Sequence, residues 1–344
     1  MPANLADAWQ RQIVYCDRNG SPFTARVLEA AWADWNEGGA LRDLLPDWPG
    51  DAWLDAVPLR VAGALHSLAL DASSAELAAL YPPASEHRGL DAAVKAALNR
   101  HRTRIANYLQ SAPQTNEIGR SAVLLGGFAA IARDTGLPLA TLEIGASAGL
   151  NQLWHRYRYE LGGGLQWGDA ASPVLIRSDW RGALPALPPH IDVRSFAACD
   201  RAPIDLAEPA AALRLASYVW ADQTERRERL SAAIALAQSL SVAVERADAA
   251  DWLERRLALP NAGVATVVVH SIVWQYLPLA TRERAQGCIE AAGTRATREA
   301  PLAWLAFEVD DAQAAPTLSL TQWPGGTRRV LAQAHAHGQF VDWF

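Results

Sequence analysis

The sequence predicts an α/β fold: a mostly parallel, seven-stranded sheet with a C-terminal antiparallel hairpin, preceded by an all-helical N-terminal region. Three observations predict it. Residues 1–136 carry apolar positions at helical spacing and no convincing period-two alternation. From Leu139 onward, short β-branched or apolar runs alternate with helical stretches, the pattern of a parallel sheet covered on both faces. Near the end, two alternating runs flank Pro324-Gly325-Gly326, which reads as a hairpin turn.

The helical half begins with Ser21-Pro22, a capping hydroxyl followed by proline at the first helical position, and continues through Val27, Leu28, Ala31 and Trp35. A second helix is expected over 52–70, interrupted near its start by Pro58. A third spans 90–109, with Leu90, Val94, Leu98, Ile105 and Leu109 as its apolar stripe. A polar break over 111–116 precedes a further helix over 117–133, which Thr135-Gly136-Leu137-Pro138 ends. In the second half, strands are expected over 140–144, 192–196, 241–245, 265–270 and 302–309, with the hairpin strands over 317–323 and 327–334. The helices between them are expected over 150–157, 210–219 with 226–238, 249–257 and 281–292. The division is thus 1–136 and 137–344, and the glycine- and proline-rich stretch at about 160–190 reads as an insertion.

Composition narrows the function classes. Half of the 344 residues are apolar and fourteen are tryptophan, enough for a substantial core. A net charge of -6 disfavours nucleic acid as a partner, since phosphate contacts need clustered cations. The one basic cluster, Arg100, His101, Arg102 and Arg104, reads as a solvated helical face. Cys16, Cys199 and Cys288 are scattered, which predicts free thiols in a reducing cytoplasm and no metal site. The first ten residues lack a basic-then-apolar pattern, so no signal peptide is expected. No segment reaches the roughly 18 uninterrupted apolar residues that span a bilayer. The partner expected is a small-molecule substrate; the oligomeric state is not readable.

The decapeptide Leu142-Glu143-Ile144-Gly145-Ala146-Ser147-Ala148-Gly149-Leu150-Asn151 carries the chemistry. A strand with a carboxylate, a small-residue turn and a helix resembles the ligand loop of a Rossmann-like fold, where backbone must approach a nucleoside. The same residues satisfy G-x-S-x-G, the nucleophile elbow of serine hydrolases. The count and order of elements resemble a class I S-adenosylmethionine-dependent methyltransferase, whose first motif commonly carries an acid two positions before the first glycine, where Glu143 stands. On that reading Glu143, Gly145, Ala146, Ser147, Ala148, Gly149 and Asn151 form the cofactor loop for S-adenosylmethionine. Asp200, with Asp205 second, would accept from ribose hydroxyls, and Asp248 would lie beside the adenine. His270 and Ser271 end the fourth strand, where substrate-facing groups lie. The bland reading of Asp200 and Asp248 is turn formation or helix capping. The hydrolase reading needs Ser147, then Glu308 or Asp310, then His335 or His337. Against it stand the helical region before the loop, a buried Glu143 and the lack of an oxyanion-hole segment before Ser147. A third reading is a non-catalytic ligand-binding module.

Longer strings identify a family. Ser21-Pro22-Phe23, Leu80-Tyr81-Pro82-Pro83, Gln114-Thr115-Asn116-Glu117-Ile118-Gly119-Arg120 and Glu143 to Asn151 resemble the bacterial "domain of unknown function 2332" family. Arg156-Tyr157, Gly168-Asp169, Ser172-Pro173-Val174, Trp220, Val269-His270-Ser271 and His337-Gly338 fit as well. The family brings no established activity, and its likeness to methyltransferases is one of fold. The first long string has two readings. It is either a helix start, with Asn116 as N-cap and Glu117 favourable in the first turn, or a lid in which Gln114, Asn116, Glu117 and Arg120 reach the ligand. Glu117 or His270 would serve as a base where the acceptor needs one. No Asn-Pro-Pro-Tyr type motif supports methylation of an adenine or glutamine amino group.

Overall fold

The computed structural model describes residues 4–309 and 315–344, which form two compact units. One comprises residues 1–115 with 207–231, and the other 116–206 with 232–344. This differs from a single division at residue 136. The helix Ser121–Thr135 has its contacts with the sheet, and the segment 207–231 has its contacts with the N-terminal helices.

The first unit is helical: Leu5–Arg18, Pro22–Asn36, Ala40–Leu44, Val57–Leu70, Ala75–Ala78, Leu90–Arg100, Arg102–Leu109 and Pro209–Ser217. Its core gathers Trp9, Leu28, Leu41, Val61, Leu65, Leu68, Val94, Leu98 and Ile105. The expected helix over 52–70 starts at Val57, so Pro58 belongs to its first turn rather than breaking it. The expected 90–109 helix is two helices, because His101 leaves helical geometry at φ -113°, ψ 32°. Ser21 precedes Pro22–Asn36 as expected, but its side chain makes no capping bond. Asp222 caps instead, accepting from the Phe23 and Thr24 N–H groups at 2.8 and 2.9 Å and from Thr24 Oγ1 at 2.7 Å. The added segment is tied in similarly. Ser217 O accepts from His66 Nδ1 at 3.0 Å, and Arg214 donates to the Tyr108 carbonyl at 3.3 Å.

The second unit contains strands β1 (Leu139–Ile144), β2 (Arg158–Glu160), β3 (Gln166–Gly168), β4 (Leu175–Arg177), β5 (Asp179–Gly182), β6 (Val193–Asp200), β7 (Glu245–Arg246), β8 (Ala265–Ser271), β9 (Leu302–Glu308), β10 (Thr317–Trp323), β11 (Thr327–Ala334) and β12 (Phe340–Trp343). Among the described residues the large sheet has nine strands, ordered β5-β12-β11-β10-β9-β8-β1-β6-β7. The expected number was seven. The excess comes from β12 and from β5, a strand of the 160–190 insertion that pairs in parallel with β12 at the sheet edge. The rest of the insertion makes a small sheet, β3-β2-β4. Strands β7, β6, β1, β8 and β9 are mutually parallel, and from β9 to β10, β11 and β12 each strand runs antiparallel to the next. The β10–β11 hairpin falls on the expected residues. The strand expected over 241–245 survives only as the two residues of β7, pairing with Cys199 and Asp200.

One face of the sheet carries the helix Ser121–Thr135, and the other carries Ala249–Arg256 and Leu279–Gly293 around Trp252, Leu253, Ala285 and Ile289. The expected helix over 150–157 is a 3-10 stretch, Leu150–Arg156. The expected 117–133 helix starts as a 3-10 turn, Ile118–Arg120, before Ser121–Thr135. Among the described residues no helix is long and apolar enough to cross a membrane.

Candidate functional site: the turn after β1

Strand β1 lies between β6 and β8, so the chain leaves its carboxyl end in one direction and returns on the other side. A crevice outside the carboxyl ends of strands at such a point is where open α/β sheets bind ligands. The turn that follows β1 is built from left-handed residues: Gly145 at φ 67°, Ser147 at φ 57° and Gly149 at φ 74°. Glycine suits the first and last, and a Cβ at Gly145 would also overlap Val273. Ser147 takes this geometry at a steric cost, and such outliers concentrate at functional sites.

Asp200, at the carboxyl end of β6, holds the turn. Its Oδ2 accepts from the Ser147 N–H at 2.8 Å and its Oδ1 from the Ala202 N–H at 2.8 Å. Two lone-pair positions remain for a further donor. The Ser147 N–H is therefore engaged within the protein. The Ala146 and Gly149 N–H groups are engaged as well, with Cys199 O and Ala146 O.

Glu143 is buried at the end of β1, and its Oε2 meets no hydrogen-bond partner. Desolvation, reinforced by the nearby Asp200 carboxylate and opposed by Arg120, raises its pKa to about 8. A pKa raised that far favours the neutral acid at neutral pH. The hydroxyl of Ser147 and the Gln152 amide, both buried, also lack partners.

The string 116–120 packs directly onto this turn. Asn116 Oδ1 accepts from the Leu150 N–H at 2.9 Å, and Ser121 Oγ donates to Asn151 Oδ1 at 2.9 Å. Asn116 is thus not the cap of its own helix. Glu117 is, accepting from the Gly119 N–H at 2.9 Å. Arg120 donates to Ser271 O at 2.9 Å and to Ala336 O at 3.0 Å, tying the end of β8 to the segment before β12. The backbones at Gly119 and Gly338 approach so closely that neither position has room for a Cβ. The strings Asn116–Arg120, Glu143–Asn151, His270-Ser271 and His337-Gly338, far apart in sequence, meet here. Gln114 belongs to the first unit.

The remaining candidates are placed as follows. Asp248 caps Ala249–Arg256, accepting from the Ala250 N–H at 3.0 Å and from Thr281 Oγ1 at 3.1 Å, the bland reading of that residue. His270 is buried and bonded at both nitrogens. Trp304 Nε1, which can only donate, gives its proton to His270 Nε2 at 2.8 Å. His270 Nδ1 therefore carries the ring proton and donates to Glu308 Oε1 at 2.6 Å. With its only lone pair taken by Trp304, His270 is a neutral structural group here rather than a base. Glu308 also accepts from the Val273 and Trp274 N–H groups at 3.1 and 3.3 Å. It is the partner of His270, not of His335 or His337, which contact each other. No hydrogen bond joins Ser147 Oγ to a histidine among the described residues. Asp310 lies outside the described residues. Sequence reasoning missed the roles of Trp274 and Trp304; nothing in their spacing marks them out from the other tryptophans.

A family model for "Uncharacterized protein conserved in bacteria (DUF2332)" matches residues 6–343. The chain belongs to the DUF2332 family. The strings that meet around the turn are thus parts of a single DUF2332 chain, matched from near its first residue to near its last. No curated protein and no solved structure matches it.

Proposed function

We propose that this DUF2332 protein binds a nucleoside cofactor, S-adenosylmethionine or a close relative, at the turn after β1, and is a methyltransferase-like, cytoplasmic enzyme acting on a small molecule. The observation that supports the reading most is the pairing of the left-handed 145–149 turn with Asp200 at the carboxyl ends of adjacent parallel strands, β1 and β6. The strand order β7-β6-β1-β8-β9 supports the reading, since in a Rossmann-like sheet that position is a ligand crevice. The donor set fits such a ligand. Asp200 keeps lone pairs for ribose hydroxyls, and the neutral Glu143 and Ser147 Oγ are buried polar groups in need of partners. The cofactor would supply an electrophilic methyl group; the protein would supply position and exclusion of water. Arg120 and Asn116 act as ties that hold the turn, and Glu117 caps its own turn. The free thiols at Cys16, Cys199 and Cys288 suit a reducing compartment.

Calorimetric titration of the full chain with S-adenosylmethionine and S-adenosylhomocysteine tests this. Saturable heat is expected, weakened by Asp200→Asn. Absence of heat and of any thermal shift at millimolar ligand overturns the cofactor reading.

A serine-hydrolase reading has one observation in its favour, the left-handed Ser147 with an unpartnered hydroxyl. Among the described residues no histidine is bonded to that hydroxyl. Fluorophosphonate labelling decides it: an unlabelled Ser147 in folded protein removes the option, and loss of labelling in Ser147→Ala would establish it.

A further inference from the structure

A cavity lies on the face of the sheet that carries Trp304, Ala306 and Glu308. Its volume is about 140 Å³, enough for a small organic group and well below the ~300–1,000 Å³ of drug-sized sites. The sheet register explains why it is hollow. Trp304 pairs with Thr321, Ala306 with Ser319 and Glu308 with Thr317, and alternate residues share one face. The middle row, which also receives His270 beside Ala306, is made of the small side chains of Ala306 and Ser319. Trp304 and Glu308 stand at either end of it.

The walls are aromatic. Trp274 stacks on His270 at 4.8 Å and 17°, and Trp274 and Trp304 lie 5.6 Å apart at 51°, two faces of an open corner. The charge is negative. Glu308 accepts from His270, Val273 and Trp274 and donates to none, as a carboxylate does. None of those donors is charged, because the Trp304 bond keeps His270 neutral. Among the described residues the one cation lining the cavity is Arg328, which pairs with Thr321 in the Trp304 row. That row lies about 14 Å along the strand from Glu308, at ~3.4 Å per residue. A carboxylate with no Lys or Arg partner among the described residues, beside two tryptophan faces, is the chemistry that recognises organic cations.

We propose that this cavity binds a small organic ammonium ion, its charge held against Trp274 and Trp304 and balanced by Glu308. The proposal does not rest on the nucleoside reading, since neither the 145–149 turn nor Asp200 lines this cavity.

Fluorescence and calorimetric titration of the full chain with choline and tetramethylammonium tests it, with 3,3-dimethylbutan-1-ol as the uncharged isostere of choline. Saturable binding of both cations is expected, with quenching of tryptophan emission, and the isostere should bind at least about tenfold more weakly, a difference of ~1.4 kcal/mol. Glu308→Gln should weaken choline by at least about tenfold. Glu308 is bonded to its surroundings, so a second variant guards against misfolding: Ala306→Leu fills the hollow from a part-buried position. It should abolish choline binding while the unfolding midpoint stays unchanged or rises. Equal affinity for choline and its isostere, binding that survives Ala306→Leu, or no binding of either cation overturns the proposal.

Discussion

Glu143 shows how much a single side chain depends on what surrounds it. In the unfolded chain it titrates like any glutamate, near 4.5; folded, it is pushed up to about 8 by burial, with Asp200 reinforcing and Arg120 opposing. Between those values the native state holds a proton that the unfolded state has released, so stability falls as pH rises through the window. The slope is about 1.4 kcal/mol per pH unit and flattens above the folded value. Glu143→Gln, which mimics the neutral acid, should remove this contribution. Urea unfolding at mildly acidic and mildly alkaline pH should show the variant gaining on the parent as pH rises. A gap that does not change with pH would mean that Glu143 is charged in the folded protein. The residue type and its place before a small-residue turn were legible in the sequence. Its protonation was not, because neighbouring strands impose the desolvation and the opposing charges of Asp200 and Arg120 reach it only in the fold.

At the scale of elements, periodicity was a good guide to type and a poorer one to ends. The β10–β11 hairpin and the helices Ala249–Arg256 and Leu279–Gly293 follow from local pattern, whereas their caps and breaks often do not. The helix Pro22–Asn36 has an apparent cap in Ser21, yet its first N–H groups bond to Asp222, a residue 199 positions away from Phe23. Asp222→Ala should therefore destabilise the first unit by about 1–2 kcal/mol, while Ser21→Ala should not remove a cap. Chemical denaturation of the two variants compares them directly. Gly126 makes a similar point from packing. Helix propensity alone predicts that Gly126→Ala stabilises by ~1 kcal/mol. A Cβ there would overlap the buried Trp343 ring, so the substitution should instead cost about 1–3 kcal/mol, read as a lower unfolding midpoint.

For the whole molecule, the consequential fact is that the chain leaves the first unit and comes back to it. Residues 207–231 supply the Asp222 cap, the Ser217 carbonyl for His66 and the Arg214 bond to Tyr108. A fragment ending at residue 115 lacks all of these. It should melt at lower temperature and with less cooperativity than a fragment in which 1–115 is joined by a flexible linker to 207–231. Circular dichroism during heating measures both, and equal melting would show that the returning segment adds nothing to that unit. The polar break over 111–116 is visible in the sequence, but nothing local shows that residues 207–231 return to the first unit.

The sequence by itself determined the helical first half, the alternation of strands and helices after Leu139, the hairpin, the turn after β1 and family membership. These are encoded within windows of a few residues, where spacing and side-chain type suffice. Tertiary structure alone decided the nine-strand order, the Asp222 cap and the packing of Asn116 against Leu150. It also decided the neutral state of Glu143 and the His270–Glu308–Trp304 chain above a cavity. Each of these is a hydrogen bond, a pairing or a desolvation between groups distant in sequence, and only the fold brings them within reach of one another.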